Sequence, residues 1–208
     1  MDTYQIPAER FEHRIDIKRS TFITCIGHTR GVAAANAFVQ EQRVAFPDAN
    51  HHCYAYIAGA PNDIYQVGKN DDGEPRDTAG KPMLNVLTHS GIGEITVVVV
   101  RYFGGVKLGA GGLVRAYTQS VSVALTELPT QSYVRCDPLI VALPYTLLGR
   151  LEHWLDASPA QILDKQFGAH VTLTLSVPVR DIDALKEAIT ELGQGSIDIL
   201  PENESESE

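Results

Sequence analysis

The sequence predicts an α+β protein of two domains, and three observations carry that prediction. Stretches that alternate like strands interleave with stretches of helical spacing along the chain. After "TQSYVRCDP" the rhythm settles into β-α-β-β-α-β, the ferredoxin-like order. The charge balance changes at the same place: through Arg135 thirteen Lys or Arg face thirteen Asp or Glu, and from Cys136 onward four face thirteen. The expected division is 1–136 for an N-terminal domain, 137–201 for the ferredoxin-like domain and 202–208, the acidic "ENESESE", for a disordered tail.

In the first domain, "RFEHRIDIKRSTFITCIGHT" reads as two strands. Ile15, Ile17, Phe22, Ile23 and Ile26 are core candidates, and "KRS" lies near the bend. "GVAAANAFVQEQRVAF" has the propensity of a helix and is stopped by Pro47. "HHCYAYIAG" and "DIYQVGK" are expected to be short strands, followed by the turn-rich acidic loop "NDDGEPRDTAG". "KPMLNVLTHS" reads as a short helix with Pro82 near its first turn, where a missing N–H is harmless. "EITVVVV" is aliphatic without alternation, which suits a central strand buried on both faces. "GLVRAYTQSVSVALTEL" follows as a helix with Leu113, Ala116, Tyr117, Val121 and Leu125 on one stripe.

In the second domain, "LIVALPY" is a strand, "TLLGRLEHWLDA" an amphipathic helix, and "AQILDKQF" and "HVTLTLSVP" are strands joined around Gly168. "DIDALKEAITEL" is a helix and "GSIDIL" a last strand.

Composition excludes several function classes. With 44% apolar residues the chain can bury a real core, and no aliphatic run is long enough to span a membrane. The charged first twenty residues do not read as a secretory signal. Cys25, Cys53 and Cys136 are odd in number and widely spaced, which argues against a disulfide framework and for a cytoplasmic protein. The net charge of −9 argues against nucleic acid, but between Glu94 and Glu127 there is no acid at all, only Arg101, Lys107 and Arg115.

That acid-free stretch holds "RYFGGVKLGAGGLVRAY", where Gly104, Gly105, Gly109, Gly111 and Gly112 fall within nine residues between a strand and a helix. The run fails the Walker A template, and it fits the dinucleotide fingerprint only at Gly109 and Gly111, since position 114 is valine. Glycines permit positive φ and close packing, which one or two would achieve. Five, flanked by three cations, expose backbone N–H groups at a helix start, where anions are favoured. Arg101, Lys107 and Arg115 with the five glycines are therefore candidate phosphate or nucleic-acid contacts, with Lys18, Arg19 and Lys81 as accessory cations. Tyr54, Tyr102 and Phe103 can stack on a base where exposed, or serve the core where buried.

Two other clusters bear chemistry. Asp71, Asp72, Glu74 and Asp77 lie within seven residues and could hold a hard cation or act in acid–base catalysis. The competing expectation is a solvated turn, with Asp71 or Thr78 capping the next helix. Adjacent His51 and His52 point to opposite faces of a strand, so at most one joins a given site. There is no HExxH helix and no GxSxG elbow, and no metal ligands are assigned.

The segments "KRSTFI", "HHCYAY", "DDGEP..TAGKPML" and "VVVRYFGGVKLGAGGLVRAY", in this order and spacing, resemble the IMPACT/YigZ family. The chain departs from the family pattern at Asp77, where a small residue, often glycine, is usual before "TAG". The resemblance implies a β-α-β N-terminal domain like domain two of the fifth small-subunit ribosomal protein, and a C-terminal domain like domains three and five of elongation factor G. It also implies a setting in translation, since eukaryotic members modulate a stress-kinase pathway controlling initiation.

Three functional expectations follow. The first is a cytoplasmic RNA- or ribosome-binding protein without a cofactor, whose acidic C-terminal domain contacts a protein partner. The second is an enzyme of phosphoryl transfer or hydrolysis, in which Asp71, Asp72, Glu74 and His52 or His51 hold Mg²⁺ beside the glycine loop. The third is a protein–protein adaptor in which the motif residues are structural.

Overall fold

The computed structural model describes residues 2–201; the expected disordered tail, 202–208, lies outside the described residues. Chain compactness divides the molecule between Tyr133 and Val134, where the sequence reading puts 136/137. Each unit is mixed α and β.

The first unit is built on a five-stranded antiparallel sheet in the order β2-β3-β6-β4-β5. Its strands are β2 (Phe11–Ile17), β3 (Ser20–His28), β4 (His51–Ile57), β5 (Val67–Asn70) and β6 (Ile95–Tyr102). The helices are α1 (Val32–Ala45), α2 (Gly80–Ser90) and α3 (Ala110–Glu127). Strand β6 lies in the middle, and its valines divide by parity. Val97 and Val99 pack with Met83, Leu87, Leu113 and Tyr117 under α2 and α3. Val98 and Val100 pack with Phe38 and Val39 under α1. Helices cover both faces, which is why this strand is apolar without alternation.

Lys18 and Arg19 form the two-residue connection between β2 and β3, both at positive φ (45° and 67°). That is the backbone a tight hairpin turn needs, here without the usual glycine or asparagine. Of the expected strand "DIYQVGK" only residues 67–69 are extended, within β5 (Val67–Asn70). Asp63 takes the preceding residues into a turn, its carboxylate accepting the Tyr65 N–H at 2.8 Å and the Gln66 side-chain amide at 3.0 Å. Two further strands, β1 (Thr3–Pro7) and β7 (Thr130–Val134), pair with each other in a separate two-stranded sheet and were not expected.

The second unit contains β8 (Cys136–Leu143), α4 (Tyr145–Leu155), β9 (Gln161–Phe167), β10 (Val171–Pro178), α5 (Ile182–Gly193) and β11 (Asp198–Leu200). The antiparallel order β11-β8-β10-β9 is the ferredoxin-like arrangement expected of the sequence. Leu139, Val141 and Leu143 of β8, with Val171, Leu173 and Leu175 of β10, form one face, which α4 and α5 cover through Leu151, Leu155, Leu185 and Ile189. No helix among the described residues is long and apolar enough to cross a membrane.

Candidate functional site

Strand parity places the site. Arg101 follows Val97 and Val99 on the α3 side of β6, and register pairs it with Phe22 on β3 and His51 on β4. The guanidinium is therefore driven into the core, and Arg101 is only 4% exposed. There its Nη1 donates to Glu74 Oε1 at 2.6 Å and its Nη2 to Ser20 Oγ at 3.3 Å. The guanidinium carbon lies 5.4 Å from the Phe22 ring centroid and 5.6 Å from that of Phe103, at cation–π range. Its Nε is buried with no partner among the described residues. Arg101, read as a candidate phosphate contact, is thus committed to Glu74 rather than free on the surface.

Glu74 is the centre of a buried network. Tyr117 on α3 donates its hydroxyl to the same Oε1 at 2.8 Å, and Cys53 Sγ lies 3.2 Å from that hydroxyl. Burial, with the neighbouring Cys53 and Glu74, pushes the Tyr117 phenol far above its ordinary value. Burial likewise raises the Cys53 thiol, so neither group ionises near neutrality.

The acidic loop is occupied by its own folding. Asp71 accepts three backbone N–H groups, from Asp77 at 2.8 Å, Ala79 at 3.0 Å and Gly80 at 2.8 Å, so it ties down the start of α2. Asp72, at a φ of 42°, accepts from Arg43 and from the His52 N–H, each at 2.6 Å. Burial works against its charge, but these two donors outweigh burial and hold the carboxyl below its ordinary value. Asp77, at a φ of 61°, pairs with Lys69 at 2.9 Å. Among the described residues no three His, Cys, Asp or Glu side chains are grouped to hold a metal ion.

The two histidines separate as strand alternation requires. His52 turns to the α1 side and donates from Nε2 to the Phe46 carbonyl at 3.0 Å. His51 turns to the α3 side and donates from Nδ1 to the Asp72 carbonyl at 2.8 Å, which leaves Nε2 4.0 Å from Glu74 Oε2. Of the two histidines that the enzymatic expectation leaves open, the one brought to the glycine loop is therefore His51.

Of the five loop glycines, three are required by geometry. A Cβ on Gly104 would lie 1.8 Å from the Arg19 carbonyl oxygen, and the Gly104 N–H donates to Ser20 Oγ at 3.2 Å, so the loop is seated on the β2–β3 turn. Gly105 and Gly109 have φ of 84° and 72°. Gly111 meets nothing within 4 Å and has no positive φ; Gly112 would touch only the Leu108 side chain. Helix α3 starts at Ala110 with no acid in its first turn and no capping side chain among the described residues. Its free N–H groups are therefore left to solvent or to an anion.

These elements enclose a cleft of about 350 Å³ whose lining includes His51, Glu74, Arg101, Phe103, Lys107 and Gly109. Lys18, Arg19, Lys107 and Arg115 are exposed. Lys81 lies elsewhere, lining a groove of about 820 Å³ between α2 and α3. Ser20, Arg43 and Tyr117 belong to the site although the sequence reading does not assign them to it.

Residues 18–125 match the Impact N-terminal domain, and 141–196 match a domain of unknown function, DUF1949. The chain is 43% identical over 200 residues to IMPACT family member YigZ of Escherichia coli, covering 96% of this chain and 98% of that one. The chain belongs to the IMPACT family. It is also 36% identical over 199 residues to IMPACT family member YvyE of Bacillus subtilis, covering 96% and 91% of the two chains. A solved structure described as that of a hypothetical protein superposes with a TM-score of 0.74 at 42% identity, covering 99% of this chain and 100% of that one.

Proposed function

We propose that this IMPACT family member binds RNA, free or in the ribosome, by gripping the phosphate backbone at the glycine loop, in the translation setting that the family resemblance implies. One observation carries the reading: the charges around the loop are neutralised on one side only. Asp71 is spent on backbone N–H groups, and Asp72, Glu74 and Asp77 are paired with Arg43, Arg101 and Lys69. Lys18, Arg19, Lys107 and Arg115 are exposed, with no ion pair among the described residues. The buried Arg101–Glu74 pair therefore holds the shape of the site, and the exposed cations with the uncapped start of α3 meet the phosphates.

Contacts of this kind release counterions, so affinity falls steeply with salt and little with base sequence. The test is RNA binding and ribosome co-sedimentation across a salt series. Lys107→Glu with Arg115→Glu is expected to abolish low-salt binding while leaving the fold intact. Unchanged binding by that double variant would reject the proposal.

A further inference from the structure

The cleft in front of Glu74 is electrically two-ended. At one end lie Lys107, which has no ion pair among the described residues, and Ala110, the first residue of α3, whose N–H has no capping side chain among them. At the other end stands Glu74, itself only 9% exposed. Its Oε1 takes the hydrogen bonds of Arg101 and Tyr117, whereas its Oε2 takes none among the described residues, with His51 Nε2 4.0 Å away. A carboxylate oxygen accepts and never donates. A ligand group that takes the place of water there is therefore a donor, such as a hydroxyl or an amino N–H.

A bare phosphate satisfies one end of this cleft and is repelled by the other. A molecule carrying a phosphate and, further along, hydroxyl or amino donors satisfies both. Phe103, 45% exposed on the cleft wall, adds a face on which a flat ring can stack. The volume, about 350 Å³, is near the small end of ligand pockets, which suits one unit rather than an oligomer. Arg101 and Glu74, paired at 2.6 Å, both line the cleft.

We infer that this cleft holds one nucleoside phosphomonoester, either a free mononucleotide or the phosphorylated end of an RNA strand. The phosphate sits on the α3 amides and Lys107, the base on Phe103, and a ribose hydroxyl or base amino group between Glu74 Oε2 and His51 Nε2. The inference rests on the proposed phosphate-binding role of the loop and narrows it from backbone phosphodiesters to a terminal phosphomonoester.

The test titrates the full chain by calorimetry with inorganic phosphate, ribose 5-phosphate, 5′- and 3′-mononucleotides, and RNA oligomers of one sequence with phosphorylated or hydroxyl ends. Mononucleotides are expected to bind at least tenfold tighter than phosphate or ribose 5-phosphate, and a phosphorylated oligomer tighter than its hydroxyl twin. Phe103→Ala and His51→Gln should erase both differences, while Phe103→Tyr, which keeps the ring beside Arg101, should retain them. Equal binding of the two oligomer types, with no mononucleotide binding, overturns the inference and leaves the backbone reading standing. Mononucleotide binding without salt-dependent RNA binding supports the inference and overturns the backbone reading. Inorganic phosphate binding as tightly as mononucleotides overturns the nucleoside assignment.

Discussion

Arg101 and Glu74 meet at 2.6 Å with side chains only 5% and 4% exposed, an ion pair buried beneath the glycine loop of an acidic protein. Arg101 comes from the end of the central strand and Glu74 from the acidic loop, so the pair locks two segments whose motif residues look unrelated in sequence. Phe22 and Phe103 flank the guanidinium, and Tyr117 and Ser20 complete its surroundings. Its role follows from burial: a charge held this deep shapes the cleft instead of reaching out of it.

Breaking this pair from one side is expected to be costly. Glu74→Ala leaves a buried guanidinium without its counter-charge, a loss of about 3–5 kcal/mol. Replacing both partners, Glu74→Leu with Arg101→Met, removes the stranded charge and should cost less than the single change. Urea denaturation of the three proteins decides it; a double variant no more stable than Glu74→Ala would show that the pair is not the organising contact.

Asp72 gives the fold a dependence on acid. Its folded carboxyl titrates below its unfolded value, because Arg43 and the His52 N–H outweigh the opposing effect of burial. A depressed carboxyl contributes stability that is full above the unfolded pKa, about 4, and is lost as pH falls through the lower folded value. Asp72→Asn keeps a residue tolerant of the left-handed backbone at a φ of 42° but has nothing to titrate. The stability gap between the parent and Asp72→Asn, from denaturation at stepped pH, should be widest above pH of about 5 and narrow toward pH of about 2. A gap that is constant across this window would remove Asp72 from the account.

The loop glycines should divide by experiment as they divide by geometry. Gly104→Ala forces a Cβ onto the Arg19 carbonyl, 1.8 Å away, and is expected to unseat the loop from the hairpin turn with a clear fall in melting temperature. Gly111→Ala meets nothing within 4 Å on an exposed helical turn and should stabilise the protein by up to about 1 kcal/mol. Gly111 also lies in the first turn of the helix proposed to receive phosphate, so the gain in stability is expected to come with weaker RNA binding. Thermal melts and binding titrations on the two variants separate packing from ligand contact. A Gly111→Ala protein that binds as well as the parent would assign this glycine to neither.

Much of this organisation is legible in the residues, and the parts that are not have physical causes. The continuous aliphatic run of β6 announces a strand covered on both faces, and the second unit's alternation of elements announces its topology. Strands β1 and β7 are short and pair across most of the first unit, with no turn signal linking them. At the site, the glycine loop is plain, but Arg101 reads as a surface cation when residue type alone is weighed. Its parity is the better guide: it shares a strand face with Val97 and Val99, as His51 shares one with Cys53, and those faces are core. Tyr117 reads as a helix core residue, which it is; only the fold shows that its hydroxyl meets Glu74.

Asp77 stands where the family resemblance implies a small residue, often glycine, and the backbone accommodates both glycine and aspartate. The residue sits at a φ of 61°, a region open to glycine and tolerated by aspartate. Its N–H donates to Asp71 at 2.8 Å whatever the side chain, so the turn that starts α2 is preserved. The side chain adds the pair with Lys69, in which both groups are about two-fifths exposed, and such pairs contribute about 0–1 kcal/mol. Asp77→Gly is therefore expected to change stability by less than about 1 kcal/mol, the lost pair offset by relief at positive φ. Asp77→Val places a β-branched residue in a conformation it avoids and should cost about 1–3 kcal/mol. Parallel chemical denaturation of the two variants tests this directly. A valine variant as stable as the glycine one would mean that backbone conformation does not select the residue before "TAG".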